Sequence, residues 1–338
     1  MLSGILNIGR LHCSVEYQQE ELFFSLVDYR NNYFTSDNAN KIIEFYNGFR
    51  CRDQLIRGMK ERPKGVAKIH EVDGNKDIIV VIPTADFNGK YSKECRENIF
   101  KGLHMVFVES GGRGDLYFNY AHNCNVGIKK AMEYNPKWVV VSNDDIIKLD
   151  SVEVLIKGLK SINNEKYCSV FTKQSKYHSM SQRIAVPRKT FFSMFLIAKR
   201  VYLNLKGLRS YYDVEKSIIS KFPAEIRQVS NSIFETVLYK TLYSFTLTGD
   251  FTILSDYFLA KGKISAFDET YINGAEDADL SIRISKLSKE IIEYQVGDIV
   301  GGTLGNRHRP RWLRDYVNVT YLNFRIKDLI PLTVSSDK

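Results

Sequence analysis

Two kinds of apolar pattern alternate along the middle of the chain. Ile78-Ile79-Val80-Val81-Ile82, His104-Met105-Val106-Phe107-Val108 and Trp138-Val139-Val140-Val141 are apolar at successive positions, as in strands covered on both faces. Between them apolar residues recur at helical spacing. Cys95, Ile99 and Leu103 form one stripe behind an N-cap at Ser92, and Val126, Ile128 and Ala131-Met132 mark a helix over 123–133. A further helix carries Val152, Leu155, Ile156 and Leu159, with Asp150 as its cap and Glu153 completing a capping-box-like arrangement. Strand, helix, strand, helix, strand at this spacing predicts a parallel sheet with crossover helices. Each strand runs into a small or polar cluster: Pro83-Thr84, Glu109-Ser110-Gly111-Gly112, and Ser142-Asn143-Asp144-Asp145. In an open α/β sheet such carboxyl ends are where ligands bind.

The flanks are less regular. Residues 1–76 read as a partly helical extension closed by a turn at Asp73-Gly74-Asn75-Lys76, and 77–335 as the main domain. Within that domain a short strand over 167–172 precedes an insertion at about 173–246. The insertion reads as partly helical and is rich in basic and aromatic residues such as Arg188, Lys199, Arg209, Tyr211 and Tyr212. The core resumes at Thr248-Gly249-Asp250-Phe251. Gly274-Ala275-Glu276-Asp277-Ala278-Asp279-Leu280 then opens a helix with Leu280, Ile284 and Leu287 in register.

Composition adds three constraints. Forty-eight Lys and Arg against 39 Asp and Glu give a net charge of +9, which favours anionic partners without choosing among nucleotides, lipid surfaces and nucleic acid. The basic residues are spread rather than patterned, so no nucleic-acid partner is expected. The five cysteines are scattered and never spaced as CxxC, which argues against a disulfide framework or zinc cage and for a reducing compartment. Arg10 and His12 interrupt the apolar start, and the run 191–198 is far short of the roughly 20 residues that span a bilayer. The expectation is a cytoplasmic protein; its basic and aromatic insertion suits peripheral contact with an anionic membrane face or an acceptor, and equally a solvated helical decoration.

Taken together, these landmarks resemble the family 2 glycosyltransferases of the GT-A fold, whose order they follow. Pro83 and Thr84 end one strand; Glu109 and Ser110 end the next. Asn125 and Gly127 form an Asn-x-Gly helix, and Asn143-Asp144-Asp145 stands where the family has its acidic metal motif. Gly249 and Phe251, Phe267-Asp268-Glu269, and Glu276-Asp277-x-Asp279-Leu280 with Arg283 complete the series. The resemblance covers roughly 77–172 and 246–290. It implies an α/β GT-A fold, with a Rossmann-like, mostly parallel sheet flanked by helices. Two departures stand out: Asn143 replaces the usual Asp, as in rhamnosyltransferase-like members, and Glu109 replaces the more frequent Asp.

The resemblance implies an inverting transfer of a hexosyl group from a nucleotide sugar (UDP-, GDP- or dTDP-linked) to an acceptor hydroxyl on a glycan, a lipid-linked or a protein-linked acceptor. Pro83, Thr84, Glu109, Asn125, Asn143 and Asp144 are its implied donor contacts, Asp145 and His308 its ligands for Mn²⁺ or Mg²⁺. Asp277 is the general base, with Glu276 positioning base or acceptor. The chemistry agrees with the residue types. Adjacent carboxylates need a cation or a hydrogen-bonding cage, and oxygen ligands suit a hard divalent ion. An acceptor hydroxyl must lose its proton as it attacks. Acids in a first helical turn also have an ordinary electrostatic reason to be there. Gly111-Gly112-Arg113-Gly114 lacks the ending of a P-loop and reads as a mobile loop. A GT-A domain that only binds a glycan, membrane or partner is the alternative, kept open by Asn143.

Overall fold

Five strands of one sheet point the same way, which gathers their carboxyl ends along a single edge. The computed structural model describes residues 52–172, 251–261, 266–284 and 287–298, with Lys41, Glu44, Phe45, Gly48, Phe49, Asn318, Tyr321, Leu322 and Arg325. The insertion, Thr248-Gly249-Asp250 and the stretch 301–312 with His308 lie outside the described residues. In chain order the elements are α1 (Arg52–Glu61), β1 (Lys68–Val72), β2 (Asn75–Thr84), α2 (Lys90–Glu94), β3 (Leu103–Glu109) and α3 (Tyr120–Met132). There follow β4 (Trp138–Ser142), β5 (Ile146–Lys148), α4 (Val152–Lys160), β6 (Ser169–Thr172), β7 (Phe251–Ser255) and α5 (Asp256–Ala260). The last are α6 (Glu276–Arg283), β8 (Lys289–Ile292) and β9 (Val296–Asp298).

The seven-stranded sheet has the order β1-β3-β2-β4-β7-β6-β8, and β5 pairs with β9 in a separate two-stranded sheet. β3, β2 and β4 are parallel neighbours, as are β6 and β8. β7 runs antiparallel to both β4 and β6, and β1 runs antiparallel to β3. The result is a mixed α/β architecture with a largely parallel central sheet flanked by helices, compatible with a Rossmann-like fold. β1 and the start of β2 come from the segment before residue 77, so the sheet draws an edge strand from the expected extension. None of the described helices is long and apolar enough to cross a membrane.

Strand alternation divides the core. Ile78, Val80, Ile82, Met105, Phe107, Trp138 and Val140 face one layer with Cys95, Ile99, Leu155 and Leu159. Ile79, Val81, Val106, Val108, Val139 and Val141 face the other, with Ala121, Cys124, Ile128, Leu280 and Ile284. That is why the strands read as continuous apolar runs: both faces are covered.

Two expected caps are not caps. The helix carrying Cys95 starts at Lys90 behind Gly89, and Ser92 lies inside it with its Oγ donating to Asp86 O at 2.7 Å. After Glu94 this helix widens into a π-helical turn, Cys95–Ile99, and Leu103 belongs to β3, beyond Gly102 at φ +94°. Asp150 does not cap α4 either; Ser151 is the N-cap residue. Asp150 Oδ2 instead accepts from Gln295 N at 2.8 Å, and its own N–H donates to Gln295 O at 3.1 Å, which fixes the approach to β9. Short polar side chains serve caps and tertiary bonds with the same atoms.

α3 lies unusually close to the sheet. A Cβ at Gly127 would stand 2.3 Å from Val81 Cγ1 and 2.9 Å from Val108 Cγ2, both fully buried on strands flanking the sheet's centre. The helix can reach that depth only with glycine there. Gly127→Ala should therefore cost about 1–3 kcal/mol by overpacking, against the gain in helix propensity. Urea unfolding measures it; an unchanged or higher midpoint would contradict the close approach.

Candidate active site

The buried strand β4 ends at Ser142, and Asn143, Asp144 and Asp145 follow half-buried at the carboxyl edge. Thr84, the last residue of the neighbouring β2, donates its Oγ1 hydrogen to Asp144 Oδ2 at 2.6 Å. Ser92 Oγ lies 2.8 Å from Thr84 Oγ1, and the Cys95 thiol donates to the Asp144 carbonyl at 3.4 Å. The π-helical turn thus packs beneath the acidic motif. Burial pushes the Asp144 carboxyl above the ordinary carboxylate range, and the Thr84 hydroxyl works against that.

On the far side of β2, Glu109 ends β3. Its Oε1 accepts from Phe87 N at 3.1 Å and its Oε2 lies 2.7 Å from His70 Nε2, with Lys68 Nζ at 3.9 Å. The Phe87 N–H first, then the His70 imidazole, hold its carboxyl below the usual value. Ser110 N donates to Thr84 O at 3.0 Å, and Ser110 Oγ accepts from the buried Asn123 at 2.9 Å. Pro83 and Thr84 are both buried between these two strand ends. The expected mobile glycine loop contains a short 3-10 turn over Gly112–Gly114.

α3 begins at the same edge and ties it to the distant 266–276 segment. Asn119 caps the helix, its Oδ1 accepting from His122 N at 2.9 Å while its Nδ2 donates to Glu269 O and Tyr271 O. Tyr120 N donates to Asn273 Oδ1 at 2.7 Å, and His122 Nδ1 donates to Glu269 Oε2 at 2.9 Å. Asn273 (φ +53°) and Ala275 (φ +70°) take left-handed conformations that turn the chain into α6. α6 opens with buried Glu276 and half-buried Asp277. The Tyr120 hydroxyl donates to Asn143 Oδ1 at 2.9 Å. One turn along α3, burial raises the Cys124 thiol pKa, and the nearby Glu276 charge adds to it. Tyr120 therefore links Asn143, through its hydroxyl, to the segment that leads into α6, through its N–H.

No protein-family model matches the chain, and no curated protein matches it significantly. The geometry brings Pro83, Thr84, Glu109, Asn143, Asp144 and Asp145 to adjoining strand ends, with Glu276 and Asp277 nearby. It does not leave Asn125 for a nucleotide. Asn125 Nδ2 donates to Phe267 O at 2.7 Å and to Glu269 Oε1 at 2.9 Å, while its Oδ1 accepts from Phe267 N at 2.9 Å. It is a clamp on the chain itself. Among the described residues no three His, Cys, Asp or Glu side chains converge as a cation cage. Sequence reading missed His70, Phe87 and Tyr120, which lie in an edge strand, a loop and a helix start without periodic signal.

A carboxyl with a raised folded pKa binds its proton more readily in the folded chain. Its ionisation therefore costs stability as pH rises from the unfolded value, near 3.9, through the folded one. Asp144→Asn should raise the melting temperature of the metal-free protein at pH 7 and leave it nearly unchanged at pH 3. Equal effects at both pH values would show that the carboxyl is not held against its charge.

Proposed function

We propose that the chain is a metal-dependent, inverting glycosyltransferase of GT-A type that moves a hexosyl group from a nucleotide sugar to an acceptor hydroxyl. The observation that carries this reading is that two acidic groups are both tied to the start of α3. Asn143-Asp144-Asp145 leaves β4 with Asn143 bonded to Tyr120, and the segment leading into Glu276-Asp277 of α6 is bonded to Asn119 and Tyr120. Carboxyl ends of parallel strands suit a nucleotide, and two separated acidic groups suit a reaction that needs a cation and a base.

Asp145 is the principal cation ligand in this reading, with Asp144 held beside it by Thr84. Two carboxylates without a full cage fit a hard cation such as Mg²⁺ or Mn²⁺ that takes its remaining oxygens from phosphates and water. Such a cation, when bound, neutralises the diphosphate leaving group. Asp277 takes the proton from the acceptor hydroxyl as its oxygen bonds to the anomeric carbon. Glu276, buried beside it, orients base or acceptor. One displacement by that oxygen inverts the anomeric centre. The acceptor hydroxyl belongs to a glycan, a lipid-linked or a protein-linked acceptor.

Isothermal titration with UDP, GDP, dTDP and their sugars, with and without Mn²⁺, tests the donor half. Binding should require the cation and be lost in Asp145→Ala. Asp277→Asn should keep that binding and reduce sugar transfer about 100-fold or more. A protein that binds none of these nucleotides with either cation is not a nucleotide-sugar enzyme.

A further inference from the structure

At the end of the sheet opposite the acidic motif, one buried histidine faces two carboxylates. His104, the second residue of β3, has a side chain only 3% exposed, and its Nε2 lies 3.1 Å from Glu71 Oε2 of β1. Its Nδ1 lies 3.3 Å from Oδ1 of Asp73, in the turn that leaves β1. Tyr134, just past α3, meets the imidazole at 60° with ring centroids 4.7 Å apart, and donates its hydroxyl to Glu71 Oε2 at 2.6 Å. The other charges facing this cluster come from α3 and β2. Lys130 Nζ is 3.4 Å from Glu71 Oε1 and 2.7 Å from Glu133 Oε2, and Lys76 Nζ is 3.3 Å from Asp73 Oδ1.

A neutral imidazole has one N–H and one lone pair, so it donates to one of these carboxylates and turns a lone pair on the other. The imidazolium donates to both. Burial works against the Glu71 carboxyl, but Tyr134, His104 and Lys130 outweigh it and hold its pKa below the usual value. Lys76 first, then the Gly74 N–H and His104, do the same for Asp73. Both carboxylates therefore stay ionised from pH 6 upward, and the imidazole decides how many of these bonds cross from β3 to β1. β1 lies at the edge of the sheet, with β3 as its one neighbour among the described strands. We propose that His104 is a pH-operated clamp: as an imidazolium it ties both β1 and the turn after it to β3, and on losing its proton it releases one of them. The tie is complete in the protonated state and weakens as pH rises through the loss of that proton. Its effect reaches the candidate site, because the other end of β1 carries Lys68 and His70 to Glu109. The clamp is independent of the proposed reaction.

Hydrogen-exchange mass spectrometry of the full chain at pH 6 and pH 9, corrected for the intrinsic pH dependence of exchange, reads the hold on residues 67–75. Exchange there should rise about tenfold at pH 9, as for the loss of one hydrogen bond to a charged group. His104→Gln, which has one donor and one acceptor at every pH, should exchange at the wild-type pH 9 level under both conditions. Asp73→Asn is the milder variant, on a side chain 87% exposed. Its amide can accept from the imidazolium or donate to the neutral ring, so its exchange should be equal at both pH values. His70, the other imidazole of β1, faces Glu109, Lys68 and the Phe87 ring, and His70→Gln should leave the pH step in place. Equal wild-type exchange at pH 6 and pH 9 overturns the clamp. So does a full pH step in folded Asp73→Asn, or one that disappears with His70.

Discussion

Asn125 grips the backbone of Phe267 in both directions across 142 residues of sequence, accepting its N–H and donating to its carbonyl. Two residues further along α3, Gly127 sits against Val81 and Val108 of the sheet. The same helical turn therefore sets how deep α3 lies and where the 266–276 segment is held. Asn119 and Tyr120 add their bonds to Glu269, Tyr271 and Asn273 from the helix start. The distance between the acidic end of β4 and the acidic start of α6 is thus a consequence of one helix's seat on the sheet. A shift of α3 outward would break the Tyr120–Asn143 bond and the Phe267 clamp together.

Not every carboxylate in that region is available for chemistry. Asp279 is fully buried, with Arg283 Nε at 2.6 Å, Tyr271 Oη at 3.2 Å and Arg325 Nε at 3.4 Å. Burial works against the Asp268 carboxyl, but the Thr270 N–H, Arg325 and the Tyr321 hydroxyl outweigh it and hold its pKa below the usual value. Removing one partner from a buried charge pair costs about 3–5 kcal/mol, so this network fixes α6 rather than reacting. Glu276-Asp277-x-Asp279 accordingly divides by position. Its third acid is bound into the core by Arg283, Tyr271 and Arg325, while its second, Asp277, stays half-buried at the helix start.

The three central strands were legible because burial on both faces leaves an unbroken apolar run, a pattern that few other elements give. β1 was not. Lys68-Ile69-His70-Glu71-Val72 is largely exposed and polar, and only its pairing with β3 makes it a strand. The reversed direction of β7 was equally invisible, since Phe251-Thr252-Ile253-Leu254-Ser255 is buried throughout and reads the same in either direction. Ser92, Asp150 and Asn125 were visible as polar residues beside helices, but each could cap, turn or clamp. Asp86, Gln295 and Phe267 decided which, and the last two lie 145 and 142 residues away in sequence. The acidic motif at the end of β4 was legible for the opposite reason: adjacent carboxylates at a buried strand's exit are costly enough to need an explanation.

That cost also accounts for Asn143. Asp144 is already held above its ordinary pKa by burial, Asp145 adjoins it, and Glu276 lies close enough to influence Cys124 on the same turns of α3. An ionised side chain at 143 would stand among these charges in surroundings of low effective dielectric, where like charges repel far more than in water. It would also meet the Tyr120 hydroxyl, which can give only one hydrogen bond. The amide accepts that bond without adding charge. A neutral residue at the head of the motif therefore lowers the repulsion at this edge and confines the charge to Asp144 and Asp145.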